Sequence, residues 1–279
     1  MHFVTTYKEF HQPNLRSILR HYALTGLSLL QANASTLRQK RVVFTCFHNF
    51  FEDNETNLRK QLEFLAQYFT FISYTEGTRR VLSGDIDDNY ICFSADDGYK
   101  DFLHISRIFD EFGIKGLVFA NPKVIGEKDY EALKFYNKDR LSHGPMEFLD
   151  WNDVDDLLAR GHEVGNHTFG HRNVGACSTE ELQEQVVHAY EVLKSHIGPN
   201  LHFAWPYGSA KDINQEALNL IYDIGHVSAS AVDRHSHYKQ FDFQKERSYL
   251  IREQIEPFYP VSHVKYFLSK DYSNHSRKW

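Results

Sequence analysis

The 279-residue chain has few cysteines: three, at positions 46, 92 and 177. An odd number so widely spaced does not make a disulfide framework, and without a CxxC pair there is no zinc clip or dithiol redox site. Cys46 and Cys92 sit in apolar runs, where a small thiol is ordinary core filling. No run approaches the ~18 apolar residues of a spanning helix. No export signal is evident either, so the expectation is a cytoplasmic protein in a reducing compartment. Positive charge is not in excess: 31 Lys and Arg against 37 Asp and Glu leave −6, which gives no general pull toward nucleic acid or anionic lipid. Repeats, low-complexity tracts and Pro/Gly-rich linkers are missing. One catalytic domain over residues 41–252 is therefore expected, between an N-terminal helical extension at 1–40 and a C-terminal tail at 253–279. The Arg277-Lys278 tip reads as a solvated terminus.

At 42% hydrophobic and 24% charged, the chain is long enough to bury a core without disulfide or metal support. In the extension, Leu15, Ile18, Leu19, Tyr22, Ala23, Gly26, Leu29 and Leu30 recur at helical spacing, and Asn14 is placed to cap them. That stripe is expected to dock on a core, with peripheral membrane contact as the alternative.

From Arg41 onward, short apolar runs alternate with helical patterns. Strands are expected at 41–47, 69–74, 90–94, 116–120, 162–165, 202–205, 226–231 and 248–251, with helices between them. About seven such repeats favour a parallel, closed or nearly closed α/β barrel. An open doubly wound sheet is the alternative, but no GxGxxG turn marks a dinucleotide site. Residues 127–145 show no periodicity and read as an insertion loop able to cover a substrate.

Three constellations follow predicted strands, where barrels carry their chemistry. The first is Asp96-Asp97-Gly98, which is also ordinary turn chemistry. The second is His167-Thr168-Phe169-Gly170-His171. Two histidines at this spacing can converge on one metal ion, and with one carboxylate they form a facial triad that leaves positions open for water and substrate. Of the two aspartates, one can then bind metal while its neighbour takes a proton from the attacking water. The third is Trp205-Pro206-Tyr207-Gly208, which can aim the Tyr207 backbone N–H at an oxyanion, with Trp205 walling a sugar pocket. Simple loop packing is the plainer reading.

In this order, these segments resemble the polysaccharide deacetylase (NodB-homology) family of carbohydrate esterases. The likeness runs from about Arg41 to Ile251. It rests on Ile91-Cys92-Phe93-Ser94-Ala95-Asp96-Asp97-Gly98-Tyr99, on Phe148-Leu149-Asp150-Trp151-Asn152-Asp153-Val154, and on Gly161 through His171. The resemblance implies a distorted (β/α)7 barrel and metal-dependent removal of an acetyl group from an N-acetylated sugar. It implies Asp97, His167 and His171 as metal ligands, Asp96 as general base, and the Tyr207 amide as oxyanion donor.

Two departures from the family pattern stand out. Ala204 replaces an arginine that often orients the base, which marks a subgroup. The usual general-acid motif is matched only loosely by Val261-Ser262-His263, and another late motif only in part, at Asp233. Some relatives place a histidine after the first strand instead, and Phe47-His48 fits that variant. His48 is therefore the expected acid, with His235, His237 and His263 as alternatives.

The expected substrate is an N-acylated sugar, glycan or glycan precursor. A nucleotide sugar or lipid-linked precursor suits the expected compartment. The donor set suits zinc first, with cobalt, nickel, manganese or iron also compatible. The competing readings are hydrolysis of another C–N bond, such as a formamide or uronamide, and a barrel that binds glycan without cleaving it.

Overall fold

The computed structural model describes residues 2–11, 14–31 and 35–270. The Arg277-Lys278 tip lies outside them. The chain opens with helices α1 (Tyr7–Phe10) and α2 (Leu15–Gln31), then strand β1 (Arg41–Phe47), α3 (Glu55–Leu65), β2 (Thr70–Phe71) and α4 (Tyr74–Ser83). Next come β3 (Asn89–Ala95), α5 (Phe102–Glu111), β4 (Leu117–Ala120), α6 (Tyr130–Tyr136), α7 (Trp151–Ala159) and β5 (Glu163–Asn166). A π-helical turn at Gln183–His188 joins α8 (Thr179–Leu182) to α9 (Ala189–Ile197). The chain continues with β6 (His202–Ala204), α10 (Gln215–Asp223), β7 (Ser228–Val232), β8 (Leu250–Gln254) and α11 (Val261–Leu268).

All the strands of the sheet pair in parallel, in the order β1-β8-β7-β6-β5-β4-β3, and β1 pairs with β3 along its whole length to close the ring. The result is the expected distorted seven-stranded barrel with an N-terminal helical extension. β2 stays outside the ring. It pairs with Tyr90 and Ile91 at the start of β3, whereas β4 takes over at Ser94 and Ala95.

One end of the barrel is plugged by α4. Its Tyr74 packs against the rings of Phe44 in β1, Phe119 in β4 and His202 in β6, and shares a 2.6 Å hydrogen bond with Ser230 in β7. A side chain touching strands all round the ring must lie within it. Gly77 is the residue that lets α4 approach, because a Cβ there would stand 2.4 Å from Cys92 Sγ. A second apolar layer, including Ile91, Phe93, Phe102, Phe109 and Leu157, packs the helices on the barrel's outside.

Four expectations are corrected. The 69–74 stretch contributes only two strand residues, because Ser73 caps α4 and draws Tyr74 into the helix. Residues 127–145 are not a plain loop. Asp129 caps α6, and a π turn at Asn137–Leu141 follows. The segment beyond residue 252 holds the end of β8 and the helix α11, which packs against α2 and α3. Finally, Asn14 does cap α2, its Oδ1 accepting from Ser17 N at 2.9 Å, but Leu15, Ile18, Leu19, Tyr22 and Leu29 of the apolar stripe face solvent.

Candidate metal centre and active site

Asp96 and Asp97 follow β3, His167 follows β5, Tyr207 lies just past β6 and His48 follows β1. All five therefore meet at the C-terminal end of the barrel, the rim on which such folds build their sites. Six non-glycine residues adopt positive φ among the described residues, and four of them belong here: Asp97 (73°), Thr168 (67°), His171 (55°) and Tyr207 (67°). Left-handed backbone at non-glycine residues costs energy and persists where the surroundings enforce it.

At Asp97 the left-handed turn sets the two neighbouring carboxylates on different tasks. Asp97 Oδ1 faces His167 Nε2 at 3.4 Å and His171 Nε2 at 3.2 Å. The three side chains are buried, and their ligand atoms lie within 4.8 Å of one another. Gly98 follows in a left-handed conformation, and a Cβ there would press to 3.0 Å from Ala120 Cβ.

The donor set fits a divalent cation. Neither Asp97 Oδ1 nor His171 Nδ1 has a hydrogen-bond partner among the described residues. His167 Nδ1 lies 2.8 Å from the Ala204 carbonyl. The ring must therefore donate Nδ1–H to it, which leaves the Nε2 lone pair facing Asp97 and is the usual orientation of a ligating histidine. Burial alone would raise the Asp97 pKa; positive charge on the His171 and His167 side, on the rings when protonated or on a cation held between them, is what holds the carboxyl well below its ordinary value. A buried carboxylate oxygen facing two ring nitrogens calls for a positive charge between them.

Asp96 turns the other way, into the barrel. Arg252 of β8 donates to both its oxygens, at 2.6 and 3.0 Å, and also to Ser94 Oγ at 3.2 Å. Arg252 and Asp96 are both buried. Burial pushes the Asp96 pKa up, yet Arg252, helped by His167 and His48, brings it below normal. Asp96 is thus held as carboxylate, the form a general base requires. The sequence reading missed Arg252, which supplies from β8 the guanidinium that Ala204 does not supply from β6. No motif points to it: the expected last strand ends at Ile251, one residue short.

His48 sits at the rim, partly exposed. Glu256 binds it twice, accepting from the His48 backbone N–H at 3.2 Å and pairing with Nδ1 at 3.0 Å. Burial would lower its pKa, but the hydrogen bond to Glu256 and the negative charges of Glu256, Asp96 and Asp97 lift it to about 10. The shift favours the imidazolium, the form with a proton to give. Glu256 is the second residue the sequence reading missed.

The alternative acids lie elsewhere. His237 bridges the backbone of Val42 at the start of β1, the far end of that strand. His235 lies 5.9 Å from it, ring to ring. His263 lies on α11 with its ring nitrogen 3.2 Å from the His21 carbonyl.

Tyr207 exposes 62% of its surface and sets its ring 5.4 Å from that of His171. Trp205 is not at the mouth. It is fully buried in the outer apolar layer with Val174 and Ile213, and its indole N–H donates to Ser209 O at 3.0 Å, so it walls no sugar pocket. The 127–145 insertion does reach the site. His143 pairs with the hydroxyl of Tyr99, two residues after Asp97, and the buried phenol of Tyr136 has no partner among the described residues.

No curated protein matches the chain. Among solved structures it is similar to IcaB from Ammonifex degensii, at 17% identity over 84% of this chain and 99% of that one, with a TM-score of 0.61. It is also similar to the deacetylase PplD of Streptococcus pyogenes, at 14% identity over 81% and 96% of the two chains and a TM-score of 0.61. A third is the de-N-acetylase from Aggregatibacter actinomycetemcomitans, at 16% identity over 81% and 98%, with a TM-score of 0.59. Identities this low bear on the fold, and all three chains are covered almost end to end. A family model described as polysaccharide deacetylase matches residues 83–228, just over half of the chain, taking in Asp96, Asp97, His167, His171 and Tyr207. The chain belongs to the polysaccharide deacetylase family.

Proposed function

We propose that the protein is a metal-dependent hydrolase that removes the N-acetyl group from an amino sugar in a glycan or glycan precursor. The observation that carries this reading is the divergence of two adjacent buried carboxylates. Asp97 is committed to two imidazoles, and Asp96 is kept ionised by Arg252.

Asp97, His167 and His171 would hold the ion, with zinc the first choice for a His2-Asp set. A divalent cation there supplies Lewis acidity that polarises the amide carbonyl and makes water a usable nucleophile near neutral pH. Asp96 takes the proton as water adds to the carbonyl carbon. The Tyr207 backbone N–H, presented by its left-handed conformation, donates to the developing oxyanion. His48, charged through Glu256, gives its proton to the sugar nitrogen as the C–N bond breaks. Acetate and the free amino sugar leave.

The test is acetate release from N-acetylated mono- and oligosaccharides, with and without chelator, alongside N-formyl and uronamide sugars. Chelator-sensitive acetate release supports the reading. Release of formate or ammonia in its place moves the reaction to another C–N bond, and glycan binding without release makes the protein a lectin-like barrel.

A further inference from the structure

Helix α2 is amphipathic, yet most of its described large apolar side chains face solvent. It packs against α11, where the His21 carbonyl lies 3.2 Å from His263 Nε2, with Leu24 and Leu27 half-buried and Ser28 buried. The apolar stripe at i, i+3, i+4, i+7 and i+14 faces solvent, with Leu15 72%, Ile18 44%, Leu19 60%, Tyr22 69% and Leu29 82% exposed. Elsewhere among the described residues, only Phe135 and Tyr207 are large apolar side chains so exposed. A helix normally buries its apolar face. Five such residues on one ridge form a patch that a monomer in water rarely shows.

Charge indicates what covers this ridge. Residues 10–51 contain Arg16, Arg20, Arg38, Lys40 and Arg41 and no Asp or Glu, a local +5 in a chain of −6, so the remainder carries −11. Of the five, Arg16 and Arg20 are exposed on α2, Arg20 with its guanidinium 5.9 Å from the Tyr259 ring centre, Arg38 and Lys40 are exposed beyond it, and Arg41 is buried. An apolar ridge on a segment that carries exposed basic residues and no acidic ones is the pattern of helices that lie in the interface of an anionic bilayer.

We propose that α2 docks the protein on an anionic lipid surface, its ridge sunk to the headgroup boundary and Arg16 among the lipid phosphates. The helix is too short to span: no helix among the described residues is long and apolar enough to cross a membrane. Ile18, Arg20 and Tyr22 also wall a cavity of about 810 Å³ that reaches Glu256, the partner of His48. A docked α2 would open that cavity beside the headgroups, within reach of a lipid-tethered amino sugar. This last consequence rests on the proposed deacetylation, whereas docking is read without any turnover.

The experiment is flotation of the full chain with phosphatidylcholine vesicles containing or lacking about a third phosphatidylglycerol. The protein should float with the anionic vesicles at least tenfold better, and molar salt should release most of it. Arg16→Gln should weaken binding roughly fivefold, and the triple variant Leu15→Gln, Leu19→Gln, Leu29→Gln should abolish it while circular dichroism and chelator-sensitive acetate release from a soluble sugar stay unchanged. Equal binding to neutral and anionic vesicles, or undiminished binding by the triple variant, would overturn the proposal. So would a dimer of the wild type that the triple variant loses with no lipid bound, since the ridge would then cover a second copy of the chain.

Discussion

Arg252 and Asp96 lie 156 residues apart and form a two-pronged ion pair inside the barrel, at 2.6 and 3.0 Å. The guanidinium does two things at once. It offsets the cost of a buried carboxylate, and it fixes the orientation of that carboxylate.

Replacing Arg252 with Gln is therefore expected to reduce kcat by about 10- to 100-fold and to cost on the order of 3–5 kcal/mol of stability, because Asp96 is left buried and uncompensated. The sign of the pH effect follows. The folded Asp96 pKa is depressed, so its contribution to stability is present above the ordinary carboxyl range and is lost as pH falls through the folded value. Without Arg252, burial dominates and the pKa rises, so the acidic limb of kcat/KM should move to higher pH. Urea melts and a pH–rate profile read both effects; an unmoved limb would mean that Arg252 does not set the protonation of Asp96.

Glu256→Gln should act on the other limb. Loss of that charge removes the largest influence raising the His48 pKa, and the alkaline limb of kcat/KM should fall by about one unit or more. His48→Ala should remove the limb and slow turnover by about 10²- to 10⁴-fold. Near-normal turnover in His48→Ala would take the acid role away from this residue.

Tyr207 is expected to work through its backbone. Tyr207→Gly keeps the N–H and relaxes the left-handed conformation, so kcat should change only a few-fold, with any loss in KM. A hundredfold fall in kcat would show that the phenol takes part in the chemistry.

Removing the metal should unbuild the centre. Single alanine replacements of Asp97, His167 or His171 should each lower the bound divalent cation well below one per chain by elemental analysis. Returning metal to chelated wild type should raise Tm by mass action, a gain the three variants should lack.

The strand-end motifs were legible because they are local. β1 lies at its expected bounds, and Asp97, His167 and His171 converge since parallel strands deliver their C-terminal residues to one rim. Arg252 and Glu256 were not legible: they are isolated charges on and after the last strand, and only closure of the ring sets them beside residues from β3 and β1. Trp205 misled because a bulky residue at a strand end can turn to either side of the barrel wall, and packing with Ile213 decided it. The α2 stripe was read correctly as helix but not as to its facing. Periodicity says which residues share a face, and only the packing of α2 against α11 shows which way that face turns.

The most direct measurement is acetate release by wild type and Asp96→Asn at matched metal content. One divalent cation per chain in both proteins is expected, with turnover in the wild type alone. Equal rates from the two, or activity that survives removal of the cation, would contradict a centre in which Asp97 holds metal and Asp96 takes the proton.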